Sequence, residues 1–159
     1  MLSDGIVRLR PVNLSTDIAA ALPWYQDPTV LHYSEGSTDP FDLERIERMY
    51  SYLQQHGEVY IVEVLAGTAW QSIGDAALTP EMVPIVIGSA QYRSRHLGTR
   101  VLTLLVARAR QLGWSKLVAH KIFDYNERSR HLFERAGFNL VDQGVDAQGR
   151  GYGRWELTL

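Results

Sequence analysis

The chain has 159 residues, of which 45% are hydrophobic and 21% charged, and its formal net charge is −2. This length and composition predict one globular domain over residues 1–159 with a core of its own. Cysteine is absent, which excludes disulfides, a cysteine nucleophile and thiolate metal ligands. No apolar run approaches the ~20 residues of a membrane span, and the first five residues do not resemble a signal peptide. We therefore expect a cytoplasmic protein with no metal and no membrane contact.

The N-terminal part of the sequence predicts one strand and one interrupted helix. Residues 6–12 alternate apolar and polar side chains, as a half-buried strand does. Ser15 or Thr16 can cap a helix that runs to Trp24, and Pro28 interrupts it.

A second helix is expected to start at Asp39-Pro40, a capping side chain followed by proline in the first turn, and to end at His56-Gly57. Its apolar positions fall on one helical stripe, made of Leu43, Ile46, Met49, Tyr50 and Leu53.

The rest of the chain predicts six strands and two more helices. The strands are expected over residues 59–65, 71–78, 83–87, 116–123, 139–143 and 152–159, and the helices over 98–112 and 127–136. The order β-α-α-β-β-β-α-β-α-β-β indicates an α/β (α+β) fold with about four helices. Its mixed, mostly antiparallel sheet should have about seven strands, and a central β-α-β unit should add parallel pairing.

Positive charge is concentrated in one part of the chain. The segment between Gln91 and Arg135 contains ten Lys or Arg and only three acidic residues, and the rest of the chain has a net negative charge. The clustering indicates a polyanionic ligand on this side, although surface charges also cluster by chance.

The start of the helix at residue 98 lies within this basic segment. The N-terminus of a helix favours anions, because its first backbone N–H groups lack hydrogen-bond partners. Arg93, Arg95, His96 and Arg100 surround this start, and no acid does. The pattern predicts a phosphate site, and the alternative is a solvated turn whose arginines pair with distant acids.

Two motifs in this region resemble a known family. Arg93-Ser94-Arg95-His96-Leu97-Gly98 is similar to the pyrophosphate loop of the GNAT superfamily of acyl-CoA-dependent N-acetyltransferases, Arg/Gln-x-x-Gly-x-Gly/Ala. The segment from Asn126 to Phe138 resembles that family's second signature, Asn-x-x-Ser/Ala-x-x-Leu-Tyr/Phe-x-x-x-Gly-Phe. Asp27-Pro28-Thr29-Val30 is similar to the branch that holds the ribosomal-protein and spermidine N-acetyltransferases.

The resemblance implies acetyl-CoA as the co-substrate. The strand at residues 85–87 would pair with the pantetheine arm, and the loop would bind the pyrophosphate. The implied CoA-binding residues are Ile85, Val86, Ile87, Arg93, Ser94, Arg95, His96, Leu97, Gly98, Thr99, Asn126, Ser129 and Phe133.

The sequence departs from the family pattern at three positions. The first loop glycine is His96, and the residue before the pantetheine strand, often a glutamate, is Met82. The tyrosine that would protonate the departing thiolate is Phe133. Three options follow: Tyr125 or another hydroxyl is the acid, water is the acid, or a thiol of pKa ~8.5 leaves unaided.

Transfer to an amine also requires a base, because an amine of pKa ~10 must lose a proton before it attacks. Glu81 is the first candidate, acting through water, and Asp75 is the second. Glu81 can equally be a solvated residue beside a turn. The backbone N–H of Ile87 or a neighbour would polarise the thioester carbonyl.

An aromatic and acidic cluster in the N-terminal helices suits a cationic acceptor. Trp24, Tyr33 and Glu35 are the predicted acceptor-binding residues, and a core role for these aromatic side chains is the alternative.

The leading hypothesis is acetyl transfer to a primary amine by direct attack in a ternary complex. The acceptor would be a small-molecule amine, a protein N-terminus or a lysine. A second hypothesis is a GNAT-like module that binds acyl-CoA with little or no catalysis. Nucleic-acid binding ranks last, because the basic segment has no aromatic ladder. The exposed edges of such a sheet also allow a homodimer.

Overall fold

The computed structural model describes all residues, 1–159, as eight strands and five α-helices. In chain order they are β1 Leu2–Ser3, β2 Val7–Pro11, α1 Leu14–Ala21, α2 Pro28–Glu35, α3 Leu43–His56, β3 Glu58–Ala66, β4 Ala69–Leu78, β5 Ile85–Ile87, α4 Leu97–Gln111, β6 Lys116–Phe123, α5 Glu127–Arg135, β7 Asn139–Val145 and β8 Gly151–Thr158. Single 3₁₀ turns precede α2 and α4, at Trp24–Gln26 and Ala90–Tyr92.

The strands form two antiparallel sheets. One has the order β1-β2-β3-β4-β5, and the other has the order β6-β8-β7. No ladder joins β5 to β6, so the parallel pairing expected for the β5-α4-β6 unit is absent. β5 pairs with β4 over three residues only and leaves its other edge open. The two sheets therefore border a gap between β5 and β6.

Two hydrophobic clusters cover opposite faces of the five-stranded sheet. Helix α4 packs on one face, where Val101 and Leu105 are fully buried beside Leu9 of β2. Helices α1 to α3 cover the other face, where Ile46 and Tyr50 are fully buried. This burial follows the predicted alternation of β2 and the predicted stripe of α3.

The helices before β3 differ from the prediction. Asp27 caps a separate helix α2, and Pro28 occupies its first turn rather than ending a preceding helix. Helix α3 begins at Leu43 instead of Asp39, because the side chain of Asp42 accepts a hydrogen bond from the Arg45 N–H at 2.8 Å. Leu43 is consequently exposed, in the first turn outside the apolar stripe.

None of the helices combines the length and the apolar character that a membrane span requires. The structure also contains no group of three or more His, Asp or Glu side chains arranged to hold a metal ion.

Candidate active site

The open edge of β5 supplies backbone groups to the gap. In the β4–β5 ladder Asp75 lies opposite Val86, and Gly88 N–H donates to Ile73 O at 2.8 Å. Because hydrogen-bonded pairs alternate along an antiparallel ladder, Ile85 and Ile87 direct their N–H and C=O groups away from β4. The predicted pantetheine strand therefore offers the N–H and C=O groups of Ile85 and the N–H of Ile87 to a ligand, whereas the backbone groups of Val86 face β4.

Arg93 lies at the C-terminal end of β5, where the chain leaves the strand at Ile87 and Gly88 (the β5 exit). Its Nε donates to Ile87 O and its Nη2 to Gly88 O, both at 3.0 Å, and Nη2 also pairs with Asp27 Oδ2 at 2.9 Å. The hydrogen bond from Arg93 lowers the pKa of Asp27. The sequence predicted that Arg93 binds a phosphate; in the structure its Nε and Nη2 contact the β5 exit and Asp27, and the phosphate contact stays a prediction.

The loop before α4 adopts a left-handed backbone at two side-chain-bearing residues. Ser94 has φ 62° and His96 has φ 60°. Such a conformation costs an L-residue about 1–2 kcal/mol and is often found at functional sites. Ser94 Oγ accepts a hydrogen bond from Arg128 of α5 at 2.9 Å, which ties the loop to the other side of the gap.

Helix α4 begins without a side-chain cap. The other four α-helices are capped by Asn13, Asp27, Asp42 and Asn126. At α4 the N-cap is His96, whose side chain makes no capping bond, and the first turn contains no acid. The Leu97 side chain is buried in the core, so only its backbone is available there. The N–H groups of Leu97, Gly98 and Thr99 have no hydrogen-bond partner, and an anion would supply one.

The nearby arginines have different partners. Arg95 lies over the Tyr92 ring at 5.3 Å, and Arg100 pairs with Asp4 at 2.8 Å. The Nε atom of Arg130 in α5 is buried and has no hydrogen-bond partner. Buried donors are seldom left unpaired, so this atom also fits a site that an anionic ligand completes.

Helix α5 forms the opposite wall of the gap. Asn126 Oδ1 accepts from Ser129 N at 3.2 Å, and Asn126 Nδ2 donates to Tyr33 O at 3.5 Å. Phe133 is buried and packs edge-on against Phe138, with ring centroids 4.9 Å apart. Phe133 supplies packing but no proton.

Asp75 lies in β4, next to β5, and is buried on the face covered by α1 to α3. Its carboxylate accepts the Tyr50 hydroxyl at 2.6 Å and the Tyr25 hydroxyl at 2.7 Å. Burial raises the pKa of Asp75 to about 6, and the two tyrosine hydrogen bonds oppose that rise. Since both tyrosines are buried as well, Asp75 has no direct route to a substrate amine.

Glu81 occupies the turn between β4 and β5 and is exposed. Its carboxylate lies 3.8 Å from Arg154 Nη1 of β8, across the gap. His120 lies in a β-bulge of β6, where the charges of Glu81 and Arg154 both act on its imidazole. Burial and the neighbouring cations Lys121 and Arg154 lower the pKa of His120. The sequence analysis missed His120, because the bulge depends on the pairing of β6 with β8 and leaves no local signal.

The three predicted acceptor residues have different environments. Trp24 is buried and packs against Gly88, where an added Cβ would come within 2.2 Å of the indole, which favours the core role that was the alternative. Tyr33 is exposed, and Glu35 follows it at the end of α2. The pKa of Glu35 is raised, because partial desolvation outweighs the attraction of Arg45.

Tyr125, the predicted acid, belongs to an aromatic stack beside α2. Its ring lies 4.5 Å from His32 and 5.0 Å from Phe123. Its hydroxyl donates to His32 O at 2.6 Å, and burial raises its pKa. The proton that the prediction assigned to catalysis is thus engaged with the backbone of α2.

A sequence comparison decides the family of this chain. The family model described as "Acetyltransferase (GNAT) domain" matches residues 7–139. The chain belongs to the GNAT acetyltransferase family. The family resemblance of the two sequence motifs is therefore confirmed. No curated protein sequence matches the chain.

Solved structures share the GNAT fold at low sequence identity. Spermidine N-acetyltransferase from Vibrio cholerae, in complex with CoA and spermine, is 14% identical with a TM-score of 0.80, over 98% of this chain and 96% of that one. A Salmonella typhimurium protein with its cofactor acetyl-CoA is 20% identical with a TM-score of 0.73, over 97% and 94%. An aminoglycoside acetyltransferase in complex with coenzyme A is 20% identical with a TM-score of 0.77, over 96% and 94%.

Proposed function

We propose that residues 1–159 form a cytoplasmic N-acetyltransferase domain that transfers an acetyl group from acetyl-CoA to a primary amine. The uncapped, acid-free start of α4 beside the open edge of β5 carries this proposal. It offers N–H donors for a pyrophosphate and a backbone ladder for a pantetheine arm. The CoA and acetyl-CoA complexes of the structural neighbours support the same ligand.

The proposed reaction is direct attack of the amine on the thioester. The nitrogen forms a bond to the carbonyl carbon, the carbon–sulfur bond breaks, and the electron pair leaves with the CoA sulfur. The free N–H of Ile87 would polarise the carbonyl oxygen. We favour Glu81 over Asp75 as the base that takes the amine proton through water, because Glu81 is exposed and Asp75 is sealed by Tyr25 and Tyr50.

No protein acid is required for the leaving group in this scheme. Phe133 has no proton to give, and the Tyr125 hydroxyl is held by His32 O. A thiol of pKa ~8.5 leaves as a thiolate that water can protonate. We propose that Tyr125 mainly orients α2.

The acceptor is proposed to be a cationic amine, either a small molecule or a protein N-terminus or lysine. Tyr33 and Glu35, at the exposed end of α2, supply an aromatic ring and a carboxyl group for such a ligand. Neighbours that carry spermine or act on aminoglycosides support a small-molecule amine.

A second candidate function is a module that binds acyl-CoA with little catalysis. The observation that favours it is the missing proton donor, since Phe133 is buried and the Tyr125 hydroxyl is engaged.

Calorimetric titration with acetyl-CoA and dephospho-CoA at two salt concentrations tests the CoA site first. We expect one-to-one micromolar binding that weakens without the 3′-phosphate. Release of free CoA thiol is then followed with spermidine, kanamycin and a peptide with a free N-terminus. Turnover with one of these amines supports the proposed acetyltransferase activity. A turnover rate at least about 100-fold lower in Glu81→Gln supports Glu81 as the base. Binding without any turnover supports the binding module, and no binding at millimolar acetyl-CoA refutes both.

A further inference from the structure

Helix α2 is attached at its first turn to the five-stranded sheet. Asp27 Oδ1 accepts the Thr29 N–H at 2.9 Å and so caps the helix, while Asp27 Oδ2 pairs with Arg93 at 2.9 Å. Arg93 in turn holds the exit of β5 through Ile87 O and Gly88 O. One carboxylate therefore both caps α2 and ties it to β5.

This ion pair is partly shielded from solvent. The side chain of Arg93 is 19% exposed and that of Asp27 is 30% exposed. A partly buried pair is screened less than a surface pair, and the fork of the guanidinium fixes its direction. The link is thus able to fix the position of the helix start.

The last turn of α2 is attached to the other sheet. Tyr125, just after β6, donates to His32 O at 2.6 Å, and Asn126 donates to Tyr33 O at 3.5 Å. Arg150, in the β7–β8 loop, donates to Gly36 O at the helix C-cap. The end of the helix that bears Tyr33 and Glu35 therefore depends on groups from the β6 side.

β5 and β6 are not paired, so no backbone ladder joins the two sheets there. Helix α2, which is anchored to both sheets, bridges this gap on the face opposite α4. We propose that α2 is a coupling element: a CoA molecule in the gap orders α2 through its two sets of anchors, with Asp27 as the positioning residue. This proposal rests on the proposed CoA site.

The physical route runs through Arg93 and Asn126. A pantetheine arm on β5 and a pyrophosphate on the loop fix the strand and the backbone on both sides of the Arg93 contacts. Arg93 then fixes Asp27 and the first turn of α2, while Asn126 and Tyr125 fix the last turn. Ordering of Tyr33 and Glu35 by one ligand lowers the entropic cost of binding the second ligand.

Hydrogen-exchange mass spectrometry with CoA as the probe tests the coupling without knowledge of the acceptor. In the wild-type chain we expect CoA to slow exchange of the amides of α2 by at least about fivefold. In Asp27→Asn this slowing should largely disappear. Asparagine caps a helix about as well as aspartate, so the variant removes the ion pair and keeps the cap.

Two further variants complete the experiment. Asp42→Asn makes the same change at the cap of α3, where the carboxylate accepts the Arg45 N–H, and should leave the CoA effect on α2 unchanged. Arg93→Lys keeps the charge but lacks the guanidinium fork, and should lose most of the effect.

The outcomes separate this proposal from the proposed function. If titration shows no CoA binding, the proposed function fails. If CoA binds with similar affinity to wild type and Asp27→Asn, and α2 is slowed equally in both, the coupling proposal is wrong. Faster exchange of α2 in Asp27→Asn, by the same factor with and without CoA, would show that Asp27 only stabilises the helix and would also overturn the proposal.

Discussion

At the scale of single residues, Asp75 shows how burial changes a carboxyl group. Its neighbours Tyr25 and Tyr50 satisfy it with hydrogen bonds, but they do not restore the solvation that the charge has lost. Its pKa in the folded state is about 6, above the ordinary value near 4. The folded state therefore holds this proton to a higher pH than the unfolded state does.

The first prediction concerns the pH dependence of stability. Because the folded pKa is raised, Asp75 should lower the free energy of unfolding as the pH rises from about 4 to 6, by on the order of 3 kcal/mol in total. In Asp75→Asn this contribution disappears, so the variant should gain stability relative to wild type as the pH rises. Urea unfolding at pH 4.5 and pH 8 measures the difference, with the exposed Asp142→Asn as the control. A wild-type-to-variant difference that does not change with pH would contradict the assignment.

His96 is a second residue whose local conformation has a measurable cost. At φ 60° it occupies a region that glycine enters without strain. We predict that His96→Gly raises the free energy of unfolding by about 0.5–1 kcal/mol, after the extra chain entropy of glycine is subtracted. Denaturant unfolding checks this, and Arg95→Gly, at a residue without positive φ, should destabilise. If His96→Gly also loses CoA affinity, the imidazole contacts the ligand.

At the scale of elements, the start of α4 differs from that of every other α-helix. Four helices use an Asn or Asp side chain to satisfy their first N–H groups, and α4 uses none. A helix optimised only for its own stability would have an acid there, because the helix dipole favours negative charge. The missing cap is the cost of keeping this helix start available to a ligand.

The third prediction follows from this helix start. Thr99→Glu adds a negative charge to the first turn of α4, and should stabilise the free protein by about 0.3–1 kcal/mol. The same charge should weaken CoA binding at least about tenfold, by repulsion of the phosphates. Thr103→Glu, one turn further on and exposed, is the matched control and should change neither property strongly. Unfolding curves and calorimetric titration measure the two effects. Unchanged CoA affinity in Thr99→Glu would place the phosphates elsewhere.

At the scale of the whole molecule, the gap between the two sheets makes the fold dependent on elements that cross it. Helix α4 crosses on one face, and α2 crosses on the other. A ligand that fills the gap touches both sheets and should stabilise them together.

The fourth prediction is the size of that stabilisation. At a CoA concentration 100 times its Kd, the free energy of unfolding should rise by about 2.7 kcal/mol, provided that CoA binds the folded state only. For a domain of this length the rise corresponds to about 5–10 °C in Tm. A thermal shift assay with CoA measures it, with adenosine, which has no phosphates, as the control. An equal shift with adenosine would argue against the phosphate site.

The outer edge of the smaller sheet bears on the predicted homodimer. β7 is an edge strand, and Leu140, Val141 and Val145 are exposed along it. Sedimentation equilibrium would test the homodimer, which stays a prediction.

The sequence by itself determined the family and most of the elements, but not strand β1 or the separate helix α2. Periodicity and turn residues are local, so β2 and the stripe of α3 could be predicted, as could the start of α4 next to a basic loop. The motifs near Arg93 and Asn126 indicated the family, which the match of the family model to residues 7–139 confirms.

Only the tertiary structure decided how the predicted site residues are used. Arg93 was predicted to bind a phosphate, which stays a prediction, and only the fold shows that it also holds Asp27 and the β5 exit, because these partners lie 66 and 6 residues away in the chain. The burial of Asp75 under Tyr25 and Tyr50, and the separation of β5 from β6, likewise depend on how distant segments pack. Local patterns fix which elements form, whereas the partner of each polar side chain depends on contacts between residues far apart in sequence, which no local pattern encodes.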